Sequence, residues 1–391
     1  MAAWKVVKLS EVCEIQRGGS PRPIENFITE ADDGINWIKI GDVAEGAKYI
    51  TSTKEKIMPE GAQRSRAVQE GDFLLSNSMS FGRPYILRTS GCIHDGWLVL
   101  RYDKNQLTED YLYHVLGSDF VYAQFEKFAV GAVVKNLNSE VVRQVSIPLP
   151  PLDEQHRIAA ILDQADALRA KRREALAQLD SLTQSIFIEM FGGAQTIYER
   201  WPVKPLGEML EFLTSGSRGW AEYYAETGAI FLRIQNICRD LLDLNDVAYV
   251  SAPDSAEARR TEVRGGDVLL SITADLGRTA VVPFNIGKAH INQHLSILRT
   301  TAVMPRYLSA FLASPAGQRE VMGRNKQGVK AGLNFDDIRS FRIPMPPRNL
   351  QQEFVARAED VGRQLLVHYQ SANELDSLFA SLQHRAFRGE L

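Results

Sequence analysis

The sequence predicts an α/β (α+β) protein in which two similar, strand-rich globular domains are joined by two long helices forming an antiparallel coiled coil. Three observations predict it. The chain contains itself twice, giving an internal twofold repeat. Each half ends in a long run with heptad-like apolar spacing. The rest of each half consists of short apolar runs separated by turn residues.

The repeat fixes the organisation. Trp4-Lys-Val-Val-Lys-Leu9 returns as Trp201-Pro-Val-Lys-Pro-Leu206, and Gly71-Asp-Phe-Leu-Leu-Ser76 returns as Gly266-Asp-Val-Leu-Leu-Ser271. Gly82-Arg83 returns as Gly277-Arg278, Tyr111-Leu112 as Tyr307-Leu308, and Ile147-Pro-Leu-Pro-Pro151 as Ile343-Pro-Met-Pro-Pro347. Leu179-Asp-Ser-Leu182 recurs unchanged as Leu375-Asp-Ser-Leu378. Six matches in one order, all close to a 196-residue offset, mark a duplication. The period is too long for a solenoid, so each copy carries its own core.

Within the first copy, Trp37-Ile-Lys-Ile40, Phe73-Leu-Leu75 and Trp97-Leu-Val-Leu100 are strand-like runs bounded by Gly, Asp or Asn. Glu109 to Phe120 and Arg306 to Ala316 read as short helices. The Pro-rich segment at Ile147–Pro151 stops any helix from crossing it, and Asp153 is placed to cap the one that follows. Glu154 to Met190 holds neither Pro nor Gly. Its expected seam is Ile158, Ile161, Ala165, Leu168, Ala175, Leu179, Leu182 and Ile186, with Arg172 its one polar member. Such a helix is about 55 Å long, more than a domain of this size needs for its own core. The second run, Leu350 to Phe387, shows Phe354, Val361, Leu365, Leu375, Leu378 and Leu382, with Gly362 and His368 near its middle. The expected division is domain 1 at 1–150, the central helix at 151–193, domain 2 at 194–347 and the C-terminal helix at 348–391.

Composition excludes several classes. The chain has 391 residues, 45 basic and 48 acidic, a formal net charge of -3 and 45% hydrophobic residues. It is a globular protein, and any nucleic-acid surface is a local patch. Cys13, Cys92 and Cys238 form no disulfide framework and no zinc spacing, which places the chain in a reducing, cytoplasmic compartment. No signal peptide is evident at Met1–Lys8, and no apolar run approaches the ~18 residues of a membrane span.

Catalytic signatures are missing. The sequence lacks a P-loop, an amino-methyltransferase tetrapeptide of the Asn-Pro-Pro-Tyr type, and the acid-x-Lys ending of a metal-dependent nuclease. Phe191-Gly-Gly193 follows a helix and reads as its terminator, not as a cofactor loop. His290 and His294 lie in a strand-like segment, where such a pair stands ~13 Å apart, and read as ordinary strand histidines. Neither a metal nor a cofactor is expected.

Two similar modules separated by stiff helices suit a bipartite, nearly symmetric ligand, and duplex DNA presents repeated grooves of that kind. At this point the chain resembles the specificity subunit of type I restriction–modification systems. The resemblance is carried by Trp4–Leu9 with Gly18-Gly-Ser-Pro21, by Gly71–Ser76, and above all by Ile147-Pro-Leu-Pro-Pro-Leu-Asp-Glu-Gln155 leading into the long helix. It spans the whole chain, although the second copy replaces Asp-Glu in Arg348-Asn-Leu-Gln-Gln352. The resemblance implies two target recognition domains, each reading one half of a split double-stranded DNA sequence. It also implies helices that set the spacing and dock two DNA methyltransferase subunits, with restriction subunits joining that core. S-adenosylmethionine, ATP and magnesium would belong to those partners. Two other readings stay open: a coiled-coil adaptor whose domains bind protein, and an enzyme of unfamiliar motif.

Candidate DNA contacts follow from comparing the copies. Domains that read different half-sites need different base-reading residues, so repeated residues are scaffold or phosphate contacts. Arg83 and Arg278 repeat, and are either phosphate contacts or internal ion-pair partners. Lys135 and Asn136 echo Lys330 in Gly-containing surroundings. Arg17, Ser20 and Arg22 differ from Ser217 and Arg218, as base readers should. Arg324 and Lys326 add unmatched charge. Trp220, Tyr223 and Tyr224 are expected to pack internally.

Overall fold

The computed structural model describes residues 4–391 except 44–45, 78–80, 130–136, 239 and 325–331. It resolves two compact units, residues 1–173 with 371–391 and residues 174–370.

In the first unit, strand Lys5–Lys8 pairs antiparallel with Ser146–Leu149. A five-stranded sheet runs in the order Cys13–Arg17, Trp97–Tyr102, Phe73–Ser76, Pro84–Leu87, Tyr49–Ile50. A second sheet runs Ile28–Thr29, Glu55–Ile57, Ile35–Ile38, Gly91–Ile93, Arg66–Val68. The central strands are apolar on both faces because both are covered. Phe73, Leu75, Leu98 and Leu100 enter the main core, whereas Leu74, Trp97 and Val99 enter a second core beneath the other sheet. The second unit repeats the plan. Val203–Pro205 pairs with Arg342–Pro344, and a four-stranded sheet runs Phe212–Ser215, Leu295–Arg299, Val268–Ser271, Thr279–Val281. Val268 and Leu270 face one core, and Leu269 the other.

The repeated motifs make matching bonds. Asp72 and Asp267 are buried and pair with Arg101 and Arg299 on the neighbouring strand. The Tyr111 hydroxyl donates to the Pro148 carbonyl at 2.7 Å, and the Tyr307 hydroxyl to that of Pro344 at 2.8 Å. Leu9 and Leu206 each donate a backbone N–H across to the other end of the domain, to Val145 and Phe341, both at 2.8 Å. The duplicated residues are therefore the clasps that close each domain.

Two helix expectations are corrected. The segment expected as one helix from Glu109 to Phe120 is two, Glu109–Leu116 and Asp119–Ala129. Its counterpart is Pro305–Ala313 followed by Pro315–Met322. Ser118 and Ser314 end one helix by donating to the carbonyls of Val115 and Phe311, both at 2.6 Å, and accept from the first turn of the next. The first long helix spans Leu152–Phe191, so Asp153 lies inside its first turn and does not cap it. An acid there suits the positive end of the helix dipole. The second long helix spans Arg348–Ala386 and starts directly after Pro346-Pro347 despite the changed motif. Both copies keep a buried glutamine there. Gln155 donates to the Pro150 carbonyl and accepts from Thr108 N–H, and Gln351 donates to that of Pro346 and accepts from Met304 N–H.

The long helices pair antiparallel within each unit. In the first, Arg157 Nη2 donates to Leu391 O at 2.9 Å and Arg169 Nε to Asp376 Oδ1 at 2.6 Å. In the second, Phe187 and Phe191 meet Phe354 at ring distances of 5.5 and 5.6 Å, and Asp180 faces Tyr369. One column of the expected seam is displaced by one residue. Ile158 and Ala165 are buried as expected, but the second column is Leu162, Arg169, Leu176 and Thr183, while Leu168 and Leu182 are exposed. Apolar spacing favours Ile161, Leu168, Ala175 and Leu182. The packed column contains an arginine and a threonine, which a hydrophobic pattern cannot select. On the second helix Phe354, Val361 and Leu365 are buried, and Leu378 is exposed.

Candidate functional site

In the first unit, Arg17 ends strand Cys13–Arg17, and Ser20 and Arg22 sit on the loop that follows, which lies against the turn before Trp97–Tyr102. Glycine permits the approach: a Cβ on Gly18 would stand 2.2 Å from the His94 carbonyl oxygen. The turn's Asp95 organises the loop. Ser20 Oγ donates to Asp95 Oδ1 at 2.9 Å, Arg22 Nη2 to Oδ2 at 3.2 Å, and Arg17 Nε to the Asp95 carbonyl at 3.3 Å. His94 Nε2 lies 3.1 Å from Oδ1. Burial pushes the Asp95 carboxyl up, but the Ser20 hydroxyl, His94 and Arg22 outweigh it and hold it below the ordinary value. The groove alongside is lined by Ile24, Trp37, Lys39 and Glu55, the last two ion-paired.

The second unit builds a groove at the same place with other chemistry. Gly216 lies on the Asn292 carbonyl, where a Cβ would stand 2.0 Å away. Ser217, Arg218, Thr273, Gln293 and His294 line the opening. His294 Nδ1 and Thr273 Oγ1 are 2.6 Å apart, and Gln293 Nε2 lies 3.1 Å from His294 Nε2. Ser217 Oγ accepts from the Trp220 indole at 3.1 Å. Gly18 and Gly216 are 198 residues apart, as are Arg101 and Arg299, so the two loops are structural equivalents.

The structure thus brings Arg17, Ser20 and Arg22 together on one groove, and Ser217 and Arg218 on its counterpart. Arg83 and Arg278 occupy matching turns but differ. Gly82 and Gly277 hold these turns at φ values of 77° and 83°, and Ser76 and Ser271 accept the arginine N–H. Arg278 is tied to Asp275 and donates to the Ile237 carbonyl at 3.2 Å. The Arg83 side chain is exposed and has no ion-pair partner among the described residues. Arg324 is held by Glu320 at 2.8 Å and by Ser340, so its guanidinium serves the fold. Lys135, Asn136, Lys326 and Lys330 lie outside the described residues.

One histidine differs from expectation. His290 is a buried strand residue stacked 5.0 Å from Trp220, but His294 lies in the turn between strands and faces the groove. Trp220 is buried, as expected, while Tyr224 is half exposed. Among the described residues no cluster of His, Cys, Asp or Glu suits a metal ion, and no helix is long and apolar enough to cross a membrane. No local sequence pattern points to Asp95, Lys39, Thr273 or Gln293 as site residues. The available signal was the 198-residue offset, which sets Asp95 opposite Gln293.

Comparison with known proteins bears on this duplicated architecture. A family model described as the type I restriction modification DNA specificity domain matches residues 1–178 and again 198–377. The type I restriction enzyme EcoBI specificity subunit of Escherichia coli is 24% identical, over 100% of this chain and 86% of that protein. The MjaIX specificity subunit of Methanocaldococcus jannaschii is 21% identical, over 99% and 93%. Among solved structures, a chain of a type I R-M system has a TM-score of 0.61 at 22% identity, covering 100% of this chain and 99% of that one. The S subunit of a type I system from M. genitalium has a TM-score of 0.57 at 13% identity, covering 98% and 96%.

Proposed function

The chain belongs to the type I restriction modification DNA specificity family, and from that premise we propose that it is the DNA-recognition subunit of a type I restriction–modification complex. Each globular domain (1–150 and 194–347) reads one half of a bipartite duplex sequence. The long helices (151–193 and 348–391) set the spacing of the half-sites and dock two methyltransferase subunits. Restriction subunits join that core in the cytoplasm. The chain itself is non-catalytic and serves by positioning its partners. One observation carries the reading: the same clasps recur in both units, while the loops at equivalent strand ends carry different polar groups. Duplicated scaffold with divergent tips is what two unlike half-sites require.

Arg17, Ser20, Arg22, Ser217 and Arg218 are the proposed base-side residues, and Arg83 a phosphate contact. Lys135, Asn136, Lys326 and Lys330 remain proposed on sequence grounds. Arg278 and Arg324, being internally paired, contribute field more than contact.

Co-expression with the methyltransferase subunit and mapping of methylated sites in host DNA tests the function. A split motif is expected; a contiguous motif, or none, contradicts it. The spacing role has a separate test. Deleting residues 171–177 and 367–373 removes one heptad from each helix, about 10.5 Å, or roughly three base pairs. The unspecified spacer should shorten while both half-sites persist. Methylation with an unaltered spacer contradicts the ruler.

A further inference from the structure

We propose that the groove of the first domain is a guanine-reading subsite, with Arg22 as the reading side chain and Asp95 as its positioning residue. The proposal rests on the DNA-recognition function above and adds the base and the residue.

Arg22 presents an 81% exposed side chain at the rim of the groove. Its Nη2 is bonded to Asp95 Oδ2 at 3.2 Å, and its other guanidinium nitrogens have no partner among the described residues. Asp95 is itself fixed. Its Oδ1 accepts from Ser20 Oγ and faces His94 Nε2, its backbone N–H donates to Ser20 Oγ at 3.3 Å, and its carbonyl accepts from Asn77 Nδ2 at 2.8 Å and Arg17 Nε. An exposed ion pair of this kind adds little stability. Its effect is geometric: one edge of a planar fork is held by an anchored carboxylate and the remaining N–H groups point outward. Guanine presents two acceptors, O6 and N7, side by side in the major groove, which a guanidinium fork can engage together. The other bases do not offer that pair of acceptors to a fork of donors.

The second domain supplies the contrast. At the 198-residue offset Trp220 stands where Arg22 does, and it is buried against Phe231 and His290. Gln293 stands where Asp95 does. Among the described residues the anchored arginine fork at this groove belongs to the first domain, so its loss should be felt in one half-site.

The test uses the full chain co-expressed with its methyltransferase partner, with methylated sites mapped in host DNA. The wild-type motif should contain a fixed guanine in the half-site read by the first domain. Arg22→Ala should relax that one position by on the order of 5- to 150-fold, the range expected for one bidentate base contact. Arg22→Lys keeps the charge but not the fork, and should relax the same position. Asp95→Asn should relax it less, with the thermal midpoint of the complex unchanged. Full stringency in Arg22→Ala, with methylation weakened at every site alike, would make Arg22 a phosphate contact and overturn the assignment. Relaxation at an A·T position, or in the other half-site, would do so too. Should Arg22→Ala abolish methylation altogether, the lysine and asparagine variants decide by the same criterion. A wild-type complex with no split motif would count against the function itself, whereas a split motif indifferent to Arg22 would overturn only the subsite.

Discussion

The two units close the same clasp with different forces. In the first, charges fasten the globular domain to the long helix: Lys48 bonds to Asp110 at 2.8 Å and to Asp163 at 2.9 Å, and buried His114 reaches Asp163 at 2.9 Å. In the second, rings do most of it, where the first keeps Tyr111 against Phe387 at 5.9 Å. Phe187, Phe191, Phe354 and Tyr307 pack with centroids 4.9–5.6 Å apart. At the 196-residue offset Phe187 becomes Gln383, Phe354 becomes Ile158, and Asp110 becomes Arg306, paired in the second unit with buried Asp240. What the duplication keeps is geometry, from the Tyr–Pro clasp to the Asp–Arg strand pair; what it lets drift is the kind of energy filling that geometry.

The largest expected effect breaks the aromatic side. Phe187→Ala should destabilise the second unit by about 3–5 kcal/mol, since a fully buried ring leaves a cavity among four others. Gln383→Ala, its counterpart, should cost less than about 1 kcal/mol. Denaturant unfolding of the two variants makes the comparison, and equal losses would show the units to be energetically alike.

Titration should separate the units next. Burial pushes the Asp240 carboxyl up from 3.8 to about 6, against the pull of Arg306. An acid whose folded value is raised is disfavoured once ionised, so its contribution is present at low pH and lost as pH rises through about 6. Asp163 behaves oppositely. The His114 bond, helped by Lys48 and opposed by burial, holds it at about 2, so its contribution is present above 3.8 and lost as pH falls through about 2. Going from pH 7 to 5 should therefore stabilise the second unit, by roughly 1.4 kcal/mol, while leaving the Asp163 contribution in place. Amide hydrogen exchange resolves the units separately. Asp240→Asn should flatten the response of the second, and a persisting slope would place it elsewhere.

The smallest effect sharpens the contrast between the repeated arginines. Arg83→Ala should lower the slope of log affinity against log salt by about one unit. Arg278→Ala, whose guanidinium already serves Asp275, should lower it by less than half of that. Equal changes would show that both arginines reach phosphate.

Much of the fold was legible because its clasps are duplicated: Gly-Asp-x-Leu-Leu-Ser and Ile-Pro-x-Pro-Pro could be read twice. The helix seam was half legible, because apolar spacing finds Ile158 and Ala165 but cannot prefer Arg169 over Leu168. The half-buried place of Arg169 depends on Asp166, Asp376 and the Phe379 ring 4.3 Å away, none of which is a periodic signal. The site was legible only on one side. Divergence drew attention to Arg17–Arg22 and to Ser217–Arg218, but the turns facing them, His94–Gly96 and Asn292–His294, are apposed through glycine–carbonyl approaches that no local pattern announces.

The most direct measurement replaces residues 10–145 with the corresponding domain of a relative and maps the sites methylated by the reconstituted complex. Independent reading by two domains on a shared scaffold predicts that one half-site changes while the other half-site and the spacer stay as they were. A change in both half-sites, or in neither, would contradict it.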